Sequence, residues 1–478
     1  MKMSTLVNTK YHNLFLVSLA VFVFIISLLT QDPENLIHPD SSGYLNFYTY
    51  RTAFYPVFLD IFFYLGVSID EIPIVQSLFF SLSIYYLLRT LYKIYNNKIF
   101  LIVYVVLLVG NVWLMSLHGA ILTESIYISL NIAAMTALIN FFYSGDTRHI
   151  LIFSLMLGLA ASVRPSGVAM FVLFPVVILA ASNYLKEFKW SWIFAIILPI
   201  VATQILESTL YRGYHGDIKR GSIMPIIIFG HGAMIEGDFK FNGIHKNVLE
   251  QYSKEIDLEF SEVKPFLDKI PYFWLKNQSL PNYEIYAQFK VLKEDRRNYF
   301  AEIAGVGRDE LLMEIGKQRM LQGIDQWIEN SLNYYAASWA LRVTSFPPFV
   351  SDYNTWINNQ DSIPFNKNIK YLPLKGGKNP SMISMIAFPA LLIAGIVSGI
   401  IGAVFIVLLI LGERMPLTLI LSGIFSLSVH GMLLFLSFVN VATPRYTTTQ
   451  FPLLLLTFFM FFLYILSILE RRNNRKKS

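Results

Sequence analysis

The stretch ILTESIYISLNIAAMTALINFF, residues 121–142, decides the fold. Its single ionisable group, Glu124, lies within a turn of one end, and the rest runs on without a charge. A helix of about 20 apolar residues crosses the hydrocarbon core of a bilayer, so this run reads as a membrane span. Comparable runs occupy 13–30, 73–92, 100–117, 150–163, 166–185, 191–211, 381–411, 417–438 and 447–469. Together they predict an all-α polytopic membrane protein of about ten transmembrane helices. The first run is followed by QDPENLIHPD with no small-residue cleavage site, which predicts a retained span and not a removable signal peptide.

Composition points the same way. Hydrophobic residues make up 55% of the 478 and charged residues only 15%, against about 25% charged in soluble domains. The short alternating segments of a membrane β-barrel are absent from the sequence. There is no cysteine, which excludes disulfides, thiolate nucleophiles and cysteine-ligated metals. A net charge of +6 would suit a nucleic-acid binder only if the charges were gathered on a soluble face. They are instead divided between loops.

Lysine and arginine mark the cytoplasmic side of a membrane protein. Lys2, Lys10, Arg89, Lys93, Lys98, Arg148, Lys186, Lys189, Arg414 and the tail RRNNRKKS all fall in segments of one side. The short segments of the other side carry only Arg51, Arg164 and Arg445. This asymmetry predicts a multi-pass protein of a bacterial inner or plasma membrane with both termini cytoplasmic. The basic tail then reads as an anchor on an anionic leaflet, with membrane lipids and no nucleic acid as partners. Three parts follow: an N-terminal transmembrane module at 1–211, an extracytoplasmic and mainly helical segment at 212–380, and C-terminal helices with the basic tail at 381–478. The inserted segment thus precedes the last three spans. Within it, Leu321, Ile324, Ile328 and Leu332 recur at helical spacing. Residues 246–264 read as a charged, solvated helix. GSIMPIIIFGHGAMI (221–235) is too short and glycine-broken to span, which suggests an interfacial or re-entrant piece. Residues 345–380 read as irregular loop.

Ionisable groups beside spans are the first place to seek function, because hydrocarbon penalises them. The first outer loop reads HPDSSGYLNFYTYRTAFYPVFLD (38–60), aromatic enough to lie on a membrane surface. Asp40 there is either a proton acceptor at the water–lipid boundary or the cap of a helix starting at Ser41, and the cap is the commoner role. In HGAILTES (118–125), Glu124 is either a second acid facing the same cavity or, with Thr123, a helix cap complementing the dipole. His118 beside it reads as an interfacial histidine. ASVRPSG and ATPRYTT place Arg164 and Arg445 at the outer ends of spans. Each either binds a phosphate through paired hydrogen bonds or snorkels toward headgroups. The shared sidedness of two acids and three arginines suits attack on a lipid-borne phosphate ester, with the arginines stabilising charge on the departing phosphate.

The order of these parts resembles the GT-C superfamily of integral-membrane glycosyltransferases, in particular the bacterial relatives of protein O-mannosyltransferases and of the lipid A aminoarabinose transferase. The resemblance rests on PDSSGYL, YPVFL, TESIYISL, RPSGVAMFVLFPVVILA and TPRYTTTQFPLLLL, and covers roughly the first 200 and last 100 residues. It implies a GT-C-like fold and transfer of a hexosyl or pentosyl group from a polyprenyl-phosphate donor, with inversion and with an extracytoplasmic active site. The acceptor it implies is a cell-envelope glycan, lipopolysaccharide or other lipid-linked acceptor. Asp40 maps onto the catalytic base and Glu124 onto the second acidic position. Arg164 and Arg445, and more weakly Arg51, map onto binders of the donor phosphate; His38, Tyr44, His118 and Tyr446 are candidates for the surrounding substrate site. Many relatives carry two adjacent acids where this chain has Asp40 followed by Ser41. The metal-binding second loop of the oligosaccharyltransferase branch is missing, so no cofactor is required and no metal expected, although Asp40 and Glu124 are the groups that would face a divalent cation. Two other readings stand beside this one. A transporter or flippase for a lipid-linked sugar or organic anion would place charges in mid-span, and Glu207 is the main candidate for that. An O-antigen polymerase or ligase would share the large outer loop and the arginines.

Overall fold

The structure is a computed structural model that describes residues 2–31, 36–37, 40–268, 294–339, 382–440 and 444–475. Among these residues it is all helical. The contacts divide the chain into two compact units. The first comprises Met1–Gly221, Val397–Met432 and Thr448–Ser478, and the second Ser222–Ile396 and Leu433–Thr447. The helices are α1 (Lys2–Leu29), α2 (Ser41–Leu45), α3 (Phe54–Tyr64), α4 (Ile72–Tyr95), α5 (Lys98–Gly110), α6 (Val112–Ser116), α7 (Glu124–Ser144), α8 (Thr147–Val163), α9 (Leu173–Leu185) and α10 (Trp190–His215). They continue as α11 (Met224–Ala233), α12 (Lys246–Asp268), α13 (Glu294–Ala304), α14 (Arg308–Gln322), α15 (Ile324–Ser338), α16 (Met382–Ile410), α17 (Leu417–Val439) and α18 (Pro444–Arg475).

Among the described residues, eight helices are long and apolar enough to cross a membrane. A ninth span is formed if α5 and the segment Val112–Gly119 count as one, although they meet at 69°. The bend has a local cause. Asn111 ends α5, and its side chain accepts a hydrogen bond from Leu114 N, so that α6 starts afresh in a new direction. The run at 150–163 is helical too, but as Thr147–Val163 it has only 17 residues, about 25 Å at the helical rise. That is short of the roughly 30 Å hydrocarbon core, so the expected count of ten is not reached by length.

In the first unit α7 is the central helix. Its membrane window is 89% buried, against 22% for α1 at the periphery, as a helix apolar on all sides must be. Three polar side chains of α7 are satisfied inside the bundle: Ser129 and Thr136 donate to carbonyls one turn back, and Asn140 donates to Thr90 Oγ1 at 2.9 Å.

The second unit has its own core. The piece expected to be interfacial or re-entrant forms α11, a buried helix packed on α14. Gly232 and Gly316 allow the close approach, since a Cβ on Gly316 would lie 2.6 Å from Ile228 O. The expected solvated helix becomes α12, which is only half solvated. Leu249, Tyr252, Ile256 and Phe260 line one face and pack with Phe229, Phe300 and Leu312. Arg319, 1% exposed, ties these parts by donating to Gly232 O, Ile235 O and Asp257 Oδ1. Along α14 and α15, Gln318, Gln322 and Gln326 each bind both the N–H and the C=O of one residue in the segment before α12: Asn242, Lys240 and Glu236 respectively. The loop expected at 345–380 lies outside the described residues.

Because Gly316 abuts main chain, Gly316→Ala forces overpacking, which typically costs about 1–3 kcal/mol. Gly307 has nothing within 4 Å of the same added atom. Gly316→Ala is expected to lower the apparent Tm of the purified protein, followed by tryptophan fluorescence, while Gly307→Ala leaves it close to the parent.

Candidate functional site

The first unit gathers the polar groups of three separate segments at the Glu124 end of α7. Asp40 occupies the N-cap position of α2, but its side chain makes no cap hydrogen bond. The carboxylate turns instead to Arg51, whose Nη2 donates to Asp40 Oδ1 at 2.9 Å. Arg51 Nη1 donates to the Tyr44 hydroxyl at 2.9 Å, and its guanidinium lies 4.2 Å from the centroid of the Tyr44 ring. Gly43 makes this possible, since a Cβ there would stand 2.8 Å from Arg51 Nε. Arg51 was expected to bind a donor phosphate; in the resting protein its charge is already matched by Asp40.

The second pair is deeper. Glu124 opens α7 and Arg164 follows the last residue of α8, and Arg164 Nη1 lies 3.0 Å from Glu124 Oε1. Their side chains are only 2% and 10% exposed, whereas the Asp40 side chain is 38% exposed. Thr123 links the two pairs: its side chain hydrogen-bonds the Tyr44 hydroxyl and donates to Glu124 Oε2. Burial pushes the Tyr44 hydroxyl above its ordinary pKa, the neighbouring Arg51 pulls the other way, and Glu124 and Asp40 add to the rise. Tyr44 is therefore a neutral phenol between two ion pairs. Asp40, Arg51, Tyr44, Thr123, Glu124 and Arg164 make one network with two carboxylates and two guanidinium groups.

The framework that holds the network is largely main-chain anchoring. Ser41 Oγ donates to Ile121 O at 2.9 Å, fixing α2 to the loop before α7. Tyr55 donates to Gln76 Oε1, and Gln76 Nε2 in turn donates to His118 O and Ala120 O. Thr52 Oγ1 donates to Val163 O, beside Arg164. Of the aromatic residues expected on a membrane surface, Tyr44, Phe47 and Tyr55 are buried, while Tyr48 and Tyr50 remain exposed. Packing has claimed three of the seven, and Phe54 and Phe58 are half-buried.

Glu207 is explained by the same loop. Its Oε1 accepts from Ala53 N at 2.8 Å, and Arg220 Nη2 donates to both carboxylate oxygens at 2.7 and 2.9 Å. The helix continues past Glu207 to His215, so the acid lies toward one end of α10 and is neutralised there. Sequence reading noticed Glu207 but missed its partner, because Arg220 lies beyond the helix in a segment assigned elsewhere.

His118 was expected near the substrate. It is fully buried, stacked on Phe80 with ring centroids 4.0 Å apart, and its Nδ1 is 2.7 Å from Ser125 Oγ. His38 lies outside the described residues. Arg445 and Tyr446 fall in the second unit, in the first turn of α18, with the guanidinium 6.0 Å from the Tyr446 ring centroid and Asn440 Nδ2 donating to the Tyr446 hydroxyl. Among the described residues, no group of three or more His, Asp or Glu side chains is arranged to hold a metal ion.

No protein-family model matches the chain, and neither a curated protein nor a solved structure matches it.

Removing one partner of a buried ion pair leaves an uncompensated charge and costs about 3–5 kcal/mol. Arg164→Met is therefore expected to destabilise the protein strongly. The double variant Glu124→Gln/Arg164→Met should recover most of that loss, as read from apparent Tm values combined in a double-mutant cycle.

Proposed function

We propose that the protein is an inverting glycosyltransferase that moves a sugar from a polyprenyl-phosphate donor to a hydroxyl of an extracytoplasmic acceptor, a cell-envelope glycan or lipopolysaccharide. The observation that carries this reading is the coupling of a solvent-accessible Asp40 to a buried pair, Glu124 and Arg164, through Arg51, Tyr44 and Thr123. A base needs access to an incoming hydroxyl, and a leaving phosphate needs fixed positive charge. The network offers both at the end of a membrane helix, where a lipid-linked donor presents its phosphate.

In the proposed reaction the acceptor oxygen gives its proton to the Asp40 carboxylate and forms a bond to the anomeric carbon. The carbon–oxygen bond to phosphate breaks on the opposite face, and its electron pair leaves on the polyprenyl phosphate. Charge accounting favours Arg51 as the coupling element. When Asp40 is protonated, Arg51 loses its counter-charge as the leaving phosphate gains one, so the guanidinium is released to the phosphate. Arg164, held by Glu124, fixes a second guanidinium on the buried side of the network. No protonating acid is needed for a phosphate leaving group, which separates this scheme from glycoside hydrolysis by paired carboxylates.

Purified protein in detergent, given polyprenyl-phosphate sugars and envelope glycans, is expected to transfer sugar, with products read by mass spectrometry. Asp40→Asn should lose most turnover while retaining donor binding. Arg51→Ala should lower kcat by about 10²- to 10³-fold, as expected for losing one donor to a developing anion. Donor movement across vesicles without any transfer product would favour a transporter, and parental turnover in Asp40→Asn would remove the base assignment.

A further inference from the structure

The second unit carries an apolar stripe that its own core leaves uncovered. Leu321, at the end of α14, is 72% exposed, and Ile324, Ile328 and Leu332 on α15 are 49%, 41% and 50% exposed. The three α15 residues recur every fourth position and so form one line along the helix. Asp325 and Glu329 flank the line on one side, and Ser331, Tyr334 and Ser338 form the buried edge on its other side. Four large aliphatic side chains left in water on one line demand an occupant.

The contacts of α15 show what that occupant is. Trp327 packs edge-on against Phe438, in the last turn of the span α17, with ring centroids 5.4 Å apart. At the other end of α15, Ser338 O accepts a hydrogen bond from Thr447 Oγ1, in the first turn of the span α18. Trp339, directly after α15, covers Gly395 near the start of the apolar window of α16, where an added Cβ would lie 2.7 Å from the indole. The chain passes from α17 to α18 within a few residues, so both helices end at the same membrane boundary. Helix α15 therefore lies along that boundary. Leu434 and Phe435 on α17, and Ile393 and Ile396 on α16, are exposed apolar residues of the same unit, on helices long and apolar enough to cross a membrane.

We propose that α15, with the end of α14, is an interfacial helix whose stripe of Leu321, Ile324, Ile328 and Leu332 is seated at the boundary between headgroups and acyl chains. The apolar line sinks into the leaflet while Asp325 and Glu329 face the headgroups and water, the arrangement of an amphipathic helix lying in the membrane plane. The second unit is thereby fixed to the lipid surface independently of the reaction the protein performs.

The absence of cysteine makes the test direct. Single variants Ile324→Cys, Ile328→Cys and Leu332→Cys are compared with Asp325→Cys and Glu329→Cys in the full-length protein, reconstituted in phosphatidylcholine–phosphatidylglycerol nanodiscs. All five positions are exposed, so each variant keeps the packing of the unit. Two readouts are taken: the rate of modification by a charged, water-soluble thiol reagent, and quenching of an attached bimane by lipids brominated near the headgroup. The thiolate is the reacting form, and apolar surroundings raise the thiol pKa, so about one unit makes the stripe positions about tenfold slower than Asp325→Cys and Glu329→Cys. Their bimane should also be quenched by the brominated lipid while the other two stay bright. Equal modification rates at all five positions would place the stripe in water and overturn the proposal. Slow modification without lipid quenching would show that protein covers the stripe, and would overturn it equally.

Discussion

The ion pair between Glu124 and Arg164 constrains everything built around it. Two opposite charges that are almost fully enclosed have no water to stabilise them separately, and each holds the other in place. Glu124 is the first residue of α7, where a negative charge also complements the helix dipole. Arg164 stands at the point where α8 gives way to a short 3-10 turn begun by Pro165. The pair thus fixes the most enclosed helix of the bundle to its neighbour at a defined height. From that height the rest follows: Val163 receives Thr52, Ile121 receives Ser41, and the loop carrying Asp40 and Arg51 is laid across the end of α7.

The two ion pairs of the network differ in kind. Asp40 and Arg51 meet at a partly solvated position, where an ion pair is worth about 0–1 kcal/mol and exchanges readily. Glu124 and Arg164 meet where exchange would strand a charge. One pair is suited to swap partners during a reaction, and the other to hold the potential against which that swap occurs. The Glu207 and Arg220 pair has a third role, since its acid also holds the main chain at Ala53 and so fixes the stem of the first loop.

The membrane-helix class was legible because hydrophobic length is a property of contiguous residues. Each of the ten apolar runs contains a helix among the described residues, and the count of spans fell short where a helix bent at Asn111 or stopped at 17 residues. Asp40, Glu124, Arg164, Arg51 and Tyr44 were each singled out from sequence, and the fold brings these five together. Their pairing was not legible. Which arginine meets which acid depends on how α2, α7 and α8 end in space, and no local pattern records it. The cap expected of Asp40 failed for a related reason: a guanidinium eleven residues away competes better for a carboxylate than a helix N-terminus does. The core of the second unit was not legible because short apolar and charged segments reveal their partners only after packing, as α11 and α12 show.

The glutamine contacts of α14 and α15 carry a consequence for how this chain can change over time. Gln318, Gln322 and Gln326 hold that segment through its main-chain amide and carbonyl groups, which every amino acid except proline supplies alike. Asn242, Lys240 and Glu236 can therefore drift to other residues without disturbing how the ribbon they belong to is gripped. The grip itself cannot drift. A helix that reads the peptide backbone in this way frees its client from any sequence requirement and concentrates the whole requirement on three side chains of its own.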